Sequence, residues 1–178
     1  MINVTFKDRP EEALCWRMPK IDLQRNSIFQ RKKQLIIERG LAVLVKYNDG
    51  ISDHYRYGSH ELILSRAQSS IEIFVFVVSE TQCFFGGRSN DHKICANGSY
   101  YVSVKEGAYN LLQAKLGTVP KALVVDDITA IANQNISKVI TDSTTQNEFN
   151  EKLTNHLSSE LGKYGLEVSN VTTDYFGE

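Results

Sequence analysis

The chain has 178 residues, a length that suits one domain with its own hydrophobic core. Hydrophobic residues make up 42% of it and charged residues 23%, which excludes a globally disordered chain. The net charge of −1 gives no reason to expect nucleic acid as a partner.

The charge is unevenly distributed along the chain. Residues 1–120 contain 16 Lys and Arg against 12 Asp and Glu, a net +4, and residues 121–178 contain 4 Lys against 9 Asp and Glu, a net −5. A basic front and an acidic tail favour head-to-tail packing of copies, or contact of the front with an anionic surface. Solvated acidic helices in the tail are the simpler interpretation.

Three features indicate a reducing compartment and no membrane span. Cys15, Cys83 and Cys95 are odd in number and form no C-x-x-C pair, so a disulfide scaffold is not expected. No apolar run follows a basic N-terminus, so no signal peptide is predicted. The most hydrophobic stretch, Ile71–Val78, is far shorter than the roughly 20 residues that span a bilayer. We therefore expect a cytoplasmic protein, with any membrane contact peripheral to the inner face.

Residues 12 to about 105 are predicted to be rich in strands. Short β-branched and aromatic runs alternate there with turn residues such as Asn48–Asp49–Gly50. The run Ile71–Val78 should lie in the middle of a sheet with both faces covered. Cys83–Phe85 should end in a turn at Gly86–Gly87. The other predicted strands are Leu14–Met18, ended by Pro19, then Leu35–Ile37, Leu41–Val45, Glu61–Leu64 and Tyr100–Val104.

Residues from about 106 to 165 are predicted to be helical. A short helix should reach Leu116, and a second should run from Ala122 or Val125 to Val139. A third should be capped by Thr144 or Thr145, with Glu148 completing a capping box with Thr145, and should end at Gly165. One stripe of this helix should hold Phe149, Leu153, Leu157, Leu161 and Tyr164. A closing strand over about 166–173 follows. This order predicts an α+β fold: a mixed, mainly antiparallel sheet from the N-terminal half, packed with about three helices, in a single domain over 1–178.

Residue patterns that carry chemistry are weak in this sequence. Cys83, His92 and Cys95 could supply three zinc ligands, but their spacing fits small core residues on strands better. Asp126–Asp127 resembles an acid–base pair, but at the start of a helix it more simply complements the helix dipole. His54, His60 and His156 are isolated from one another, although His54 and His60 lie near turns and could meet. We therefore expect no catalytic residue, no metal and no cofactor, and a protein that is not an enzyme.

A basic cluster lies at Arg31–Lys32–Lys33, with Arg25 nearby. Such residues can bind lipid phosphates, although membrane-binding clusters usually hold about 4–8 basic residues. A solvated loop is the alternative interpretation.

Several segments resemble the SPFH (band 7; stomatin–prohibitin–flotillin) domains, nearest the bacterial "virion core protein" type. Glu12–Pro19, Gln34–Glu38 and Ala42–Val45 resemble the opening strand and hairpin of that family, and Tyr57–Leu62 stands where its next turn lies, without the proline of that turn. Phe149–Val171 resembles its closing helix and strand. The family's middle is usually longer than the segment from Gly86 to Val104, and the family often continues into a helical or zinc-ribbon tail.

The resemblance implies an SPFH-like fold without a transmembrane helix, and no catalytic residues to carry over. It implies a scaffold or oligomerisation domain that forms homo-oligomers at membranes and organises lipids or partner proteins. Two alternatives stay open. One is a protein-binding module of a phage-related or defence system that does not self-assemble. The other is a small enzyme with a pocket of Tyr, His and Asp residues.

Overall fold

The computed structural model describes residues 1–22, 31–65, 68–116 and 122–178. Within these residues the protein is a mixed α+β fold with four helices and two sheets, whose strands are mainly antiparallel. The strands are β1 (Ile2–Val4), β2 (Ala13–Arg17), β3 (Ile21–Asp22), β4 (Arg31–Tyr47), β5 (Ser52–Leu64), β6 (Ser70–Val77), β7 (Thr81–Arg88), β8 (Cys95–Val104), β9 (Ala122–Val124) and β10 (Leu166–Gly177). The helices are α1 (Tyr109–Leu116), α2 (Val125–Ala132), α3 (Ile136–Thr141) and α4 (Gln146–Gly162).

The chain forms two compact units rather than one array of strands. Unit 1 comprises Met1–Ser79 and Leu116–Leu123, and unit 2 comprises Glu80–Lys115 and Val124–Glu178. The prediction of one continuous sheet from the N-terminal half was wrong, because β7 and β8 belong to a second, three-stranded sheet with β10. That the whole chain acts as a single domain stays a prediction.

The sheet of unit 1 has seven strands among the described residues, with the order β1-β4-β6-β2-β9, β3 beside β6 and β5 beside β4. Strand β6 lies in the middle and is buried along nearly its whole length, as predicted from its β-branched and aromatic residues. The two strands predicted at 35–37 and 41–45 are one 17-residue strand, β4. It shifts register against β5 between Ile37 and Ala42, where Gly40 adopts a φ of +91°. The glycine therefore bends a strand rather than ending it.

Unit 2 packs helices against one face of the sheet β10-β8-β7. Helix α4 packs on β10, and α2 and α3 pack on β7. The prediction that Thr145 caps α4 is confirmed, since its side chain accepts a hydrogen bond from the backbone N of Glu148 at 3.3 Å. The predicted capping box is only half formed, because the Glu148 side chain accepts from the backbone N and the hydroxyl of Thr144 instead of from the backbone N of Thr145. Four members of its predicted stripe are confirmed, because Phe149, Leu153, Leu157 and Leu161 are fully buried. The fifth, Tyr164, is half-buried and lies beyond the end of α4 at Gly162.

Two predictions in this half were wrong. The second helix divides into α2 and α3, because Asn135 adopts a left-handed φ of 62° between them. Strand β7 continues through Gly86 and Gly87 to Arg88 instead of turning. Strand β9 at Ala122–Val124 and strand β1 near the N-terminus were not predicted.

None of the helices among the described residues is long and apolar enough to cross a membrane.

Candidate functional site

Strand β5 forms an open edge of the unit 1 sheet. It pairs with β4 from Ser52 to Leu64, and no described strand pairs with its other side. Most of its side chains are exposed or half-buried, including Tyr57 at 63% and Ile63 at 56%, and Ile51 in the preceding turn is 56% exposed. An exposed strand edge presents N–H and C=O groups to which another extended chain can add. We name this feature the β5 edge.

The N-terminal end of β5 is fixed by a tyrosine pair. Burial raises the pKa of the Tyr47 hydroxyl far above its usual value, and its hydrogen bond to Tyr55 adds to the shift. Burial likewise raises the pKa of Tyr55, whose hydroxyl donates to Asp53 at 3.5 Å. Both hydroxyls are therefore neutral at physiological pH and anchor the hairpin as hydrogen-bonding groups.

His54 and His60 both lie on β5, but the structure does not bring them together. They lie opposite Leu44 and Leu35, six residues apart along the strand and thus roughly 20 Å from each other. The Nε2 atom of His60 lies 2.8 Å from the carbonyl oxygen of Arg56, and its ring contacts that of Tyr55 at 5.1 Å. These contacts give His60 a structural role within the strand.

The described part of the basic cluster lines a shallow groove on the β4–β5 hairpin. The groove has a volume of about 450 Å³, and Lys32, Lys33, His60 and Glu61 contribute to its walls. Lys32 pairs with Glu61 at 2.8 Å, and both side chains are more than half exposed. Arg25 lies outside the described residues. Lys33 also lines the groove, and it forms no ion pair with another described residue.

The three candidate zinc ligands are spread along the β7–β8 hairpin. Cys83 is buried opposite Tyr100, while Cys95 lies opposite Arg88, five positions further along and roughly 17 Å away. His92 lies in the turn between them. No group of three or more His, Cys, Asp or Glu residues able to hold a metal ion occurs in the described ranges. Cys83 thus occupies the core position that its strand context favoured.

Asp126, Asp127 and His156 support helices. Both aspartates lie in the first turn of α2, and the Oδ2 atom of Asp127 accepts a hydrogen bond from the backbone N of Val124 at 3.1 Å. His156 on α4 places Nε2 3.2 Å from the carbonyl oxygen of Ala132 at the end of α2. These residues cap and connect helices, in line with the simpler interpretation of the aspartate pair.

Glu148 has the most strongly perturbed carboxylate of the capping region. A hydrogen bond from Lys152 at 2.7 Å, followed by hydrogen bonds from the backbone N and the hydroxyl of Thr144, lowers its pKa to about 2. Because the folded-state pKa lies below the ordinary value of 4.5, the carboxylate stabilises the fold fully above about pH 4.5 and loses this effect as the pH falls towards 2.

We expect Glu148→Gln to be less stable than the wild type at neutral pH, with a difference that shrinks as the pH falls from about 4.5 to about 2. The measurement is the free energy of unfolding by denaturant at a series of pH values. Glu151→Gln, at an exposed position of the same helix, controls for the loss of one carboxylate. A difference that stays constant down to the lowest pH would show that these hydrogen bonds do not form.

Sequence reasoning missed most of the β5 edge. Only Glu61–Leu64 was predicted as a strand, because the preceding residues from Asp53 to Ser59 are largely polar. The signal was present in the β-forming residues Tyr55 and Tyr57, separated by one polar residue.

No protein-family model matches the chain. No curated protein matches it at a significant level either.

Proposed function

We propose that this chain is a non-catalytic SPFH-like scaffold domain that assembles with copies of itself through the β5 edge. The observation that carries the proposal is a 13-residue strand with exposed apolar side chains, one side of which pairs with no strand among the described residues. The resemblance of Glu12–Pro19 and Phe149–Val171 to the SPFH domains supports the family and the absence of chemistry. The sequence of a closing helix, α4, followed directly by β10 is consistent with that resemblance.

The backbone of β5 can supply much of the association free energy. In an antiparallel pair about every second residue directs its N–H and C=O towards one neighbour, so roughly six residues of β5 direct theirs away from β4. Each hydrogen bond to an added strand contributes about 0.5–1.5 kcal/mol net. Burial of the exposed Tyr57 and Ile63 side chains would add to this.

The charges on β5 favour a defined pairing over indiscriminate aggregation. Asp53, Arg56 and Glu61 interrupt the strand, and charged residues on an edge oppose pairings that juxtapose like charges. Assembly should therefore select a register that avoids such contacts. This is the behaviour expected of a scaffold that forms a particular oligomer.

We expect the wild-type protein to show a mass above that of one chain at high concentration, and the double variant Tyr57→Lys/Ile63→Lys to remain a single chain. The substituted side chains are exposed, so the isolated domain should fold, while lysines on an edge strand block strand addition. Sedimentation velocity or light scattering across a range of concentrations measures the outcome.

Leu111→Lys is the matched control. Leu111 is 51% exposed, but it lies on α1 and not on β5, so this variant should assemble like the wild type. A wild-type protein that stays a single chain at the highest concentration, or a Leu111→Lys variant that loses assembly equally, would overturn the proposal.

Peripheral membrane contact belongs to the same proposal. The short cluster around Lys32 and Lys33 gives a single copy few basic residues, and each basic residue near an anionic surface contributes about 1 kcal/mol. Many copies in one assembly would multiply this attraction. Binding to vesicles containing phosphatidylserine should therefore fall in Tyr57→Lys/Ile63→Lys, even though the variant gains two positive charges. Stronger binding by the variant would show that charge acts without assembly.

A further inference from the structure

The charges of the chain separate between its two units. Unit 1, which comprises Met1–Ser79 and Leu116–Leu123, contains 13 Lys and Arg against 9 Asp and Glu, a net +4. Unit 2, which comprises Glu80–Lys115 and Val124–Glu178, contains 7 Lys and Arg against 12 Asp and Glu, a net −5. Pairing of β5 with β5 of a second copy would bring two cationic units together. Pairing of β5 with unit 2 of a second copy would instead join opposite charges, which attract each other.

Unit 2 presents one regular strand edge. Strand β7 pairs with β8 from Thr81 to Arg88 without a register shift, and no described strand pairs with its other side. Its single charged residue is Arg88 at its end, and the ring of Phe84 is 58% exposed. The strand therefore lacks the interior charges, prolines and bulges that keep edge strands from pairing with other chains. We name this other side of Thr81–Arg88 the β7 edge.

The remaining outer strands are less suited to accept a further strand. Strand β10 shifts register against β8 twice within Ser169–Tyr175, and such bulges twist an edge away from a straight partner. The Nε2 atom of Gln146 also donates a hydrogen bond to the carbonyl oxygen of Thr173 on this strand at 3.2 Å. Strands β1, β3 and β9 have three residues or fewer, too few for a long ladder of hydrogen bonds. The β7 edge is thus the best match for the β5 edge.

We propose that copies assemble head to tail, with the β5 edge of one copy added to the β7 edge of the next. This inference rests on the proposed function and names the surface that accepts its β5 edge. An interface between two different surfaces repeats from copy to copy and generates a ring or an open chain, whereas β5 paired with β5 stops at a dimer. Because β7 is uncharged from Thr81 to Gly87, the charged residues of β5 meet no like charge there.

Two assembly-deficient variants test this arrangement when they are mixed. Tyr57→Lys/Ile63→Lys disables the β5 edge and keeps the β7 edge, and Gln82→Lys/Phe84→Lys does the reverse. All four side chains are exposed, so both proteins should fold, which circular dichroism checks. We expect each variant alone to remain a single chain in sedimentation velocity, and the equimolar mixture to form a complex of one chain of each. That complex contains one native interface, with all four lysines outside it.

Thr172→Lys/Tyr175→Lys is the matched control. It adds the same two charges to unit 2 at exposed positions of β10, so it should assemble like the wild type. Loss of assembly in this control, a mixture that stays as single chains, or self-assembly of Gln82→Lys/Phe84→Lys would each overturn the head-to-tail arrangement while the wild type still assembles. A wild-type protein that stays a single chain would overturn the proposed function together with this inference.

The mixed complex should also weaken as salt is added. The Debye length falls from about 10 Å at 0.1 M salt to about 3 Å at 1 M, so the attraction between a cationic and an anionic unit is screened. We expect the dissociation constant of the mixed complex to rise about tenfold or more between about 0.05 M and about 1 M sodium chloride, measured by sedimentation. An unchanged dissociation constant would overturn the choice of the β7 edge, because that choice depends on the opposite charges of the two units.

Discussion

Replacing Phe149 by alanine is expected to lower the free energy of unfolding of unit 2 by about 3–5 kcal/mol. Phe149 lies on the buried face of α4 and is fully buried. Its ring stacks on Phe176 of β10 with a centroid distance of 5.0 Å and meets Phe85 of β7 at 6.0 Å. The side chain therefore joins the helix to both outer strands of the three-stranded sheet. Alanine would remove these contacts and leave a cavity that a rigid helix and sheet can only partly close.

Phe84→Ala is the matched control for this prediction. Phe84 precedes Phe85 on β7 but points away from the helices and is 58% exposed, so its truncation should change the stability by no more than about 0.5 kcal/mol. Chemical denaturation followed by circular dichroism measures both variants. If the two substitutions cost the same, then Phe149 does not lie at the centre of this core.

Local sequence signals predicted α4 and β6 well. The start of α4 depends on Thr145 and Glu148, two residues that interact within one turn, and its buried face is defined by apolar residues at helical spacing. Strand β6 is set by a short run of β-branched and aromatic residues. The start of α4 is decided by contacts between residues close in sequence. The burial of β6 is indicated by its residue types alone.

Pairing between distant segments could not be predicted in the same way. The alternation of residues in β7 and β8 identifies strands, but it does not say which sheet they join, and β10, which pairs with β8, lies more than 60 positions further along the chain. The division into two sheets therefore depends on long-range pairing that no local pattern encodes. The β5 edge was missed for a different reason: the side chains from Ser52 to His60 are exposed or half-buried on both faces of the strand, so they show no alternation of apolar and polar residues.

Gly87 shows why a glycine that is needed for the structure can still be assigned to the wrong secondary structure from the sequence. The pair Gly86–Gly87 predicted a turn, yet both residues lie within β7. A Cβ atom on Gly87 would lie 2.7 Å from Cγ2 of Ile136, so the missing side chain lets α3 pack closely on the strand. Glycine thus reports either a turn or a close approach, and only the tertiary structure separates the two.

The second large effect is expected at Gly98 in β8. A Cβ atom there would lie 2.1 Å from the backbone carbonyl oxygen of Thr172 and 2.8 Å from the ring of Phe85. The β8–β10 register shifts between Ser169 and Thr172, where Asn170 adopts a left-handed φ of 49°, and this irregularity accompanies the close approach of the Thr172 carbonyl to Gly98. Since a backbone group cannot move aside like a flexible side chain, Gly98→Ala must displace β10. We expect a loss of about 3 kcal/mol or more in the free energy of unfolding, at or above the upper end for overpacking.

Gly86→Ala separates this steric effect from the general effect of replacing glycine in a strand. Gly86 lies on the neighbouring strand β7, and the nearest atoms to its added Cβ are 3.9 Å away, an ordinary contact distance. Because alanine restricts the unfolded chain more than glycine does, Gly86→Ala should leave the stability unchanged or raise it by about 0.4–1 kcal/mol. Parallel denaturant titrations of the two variants decide the matter. A Gly98→Ala protein as stable as Gly86→Ala would mean that β10 does not pair with β8 in the register described. The three-stranded sheet that supports α4 would then have to be reassigned.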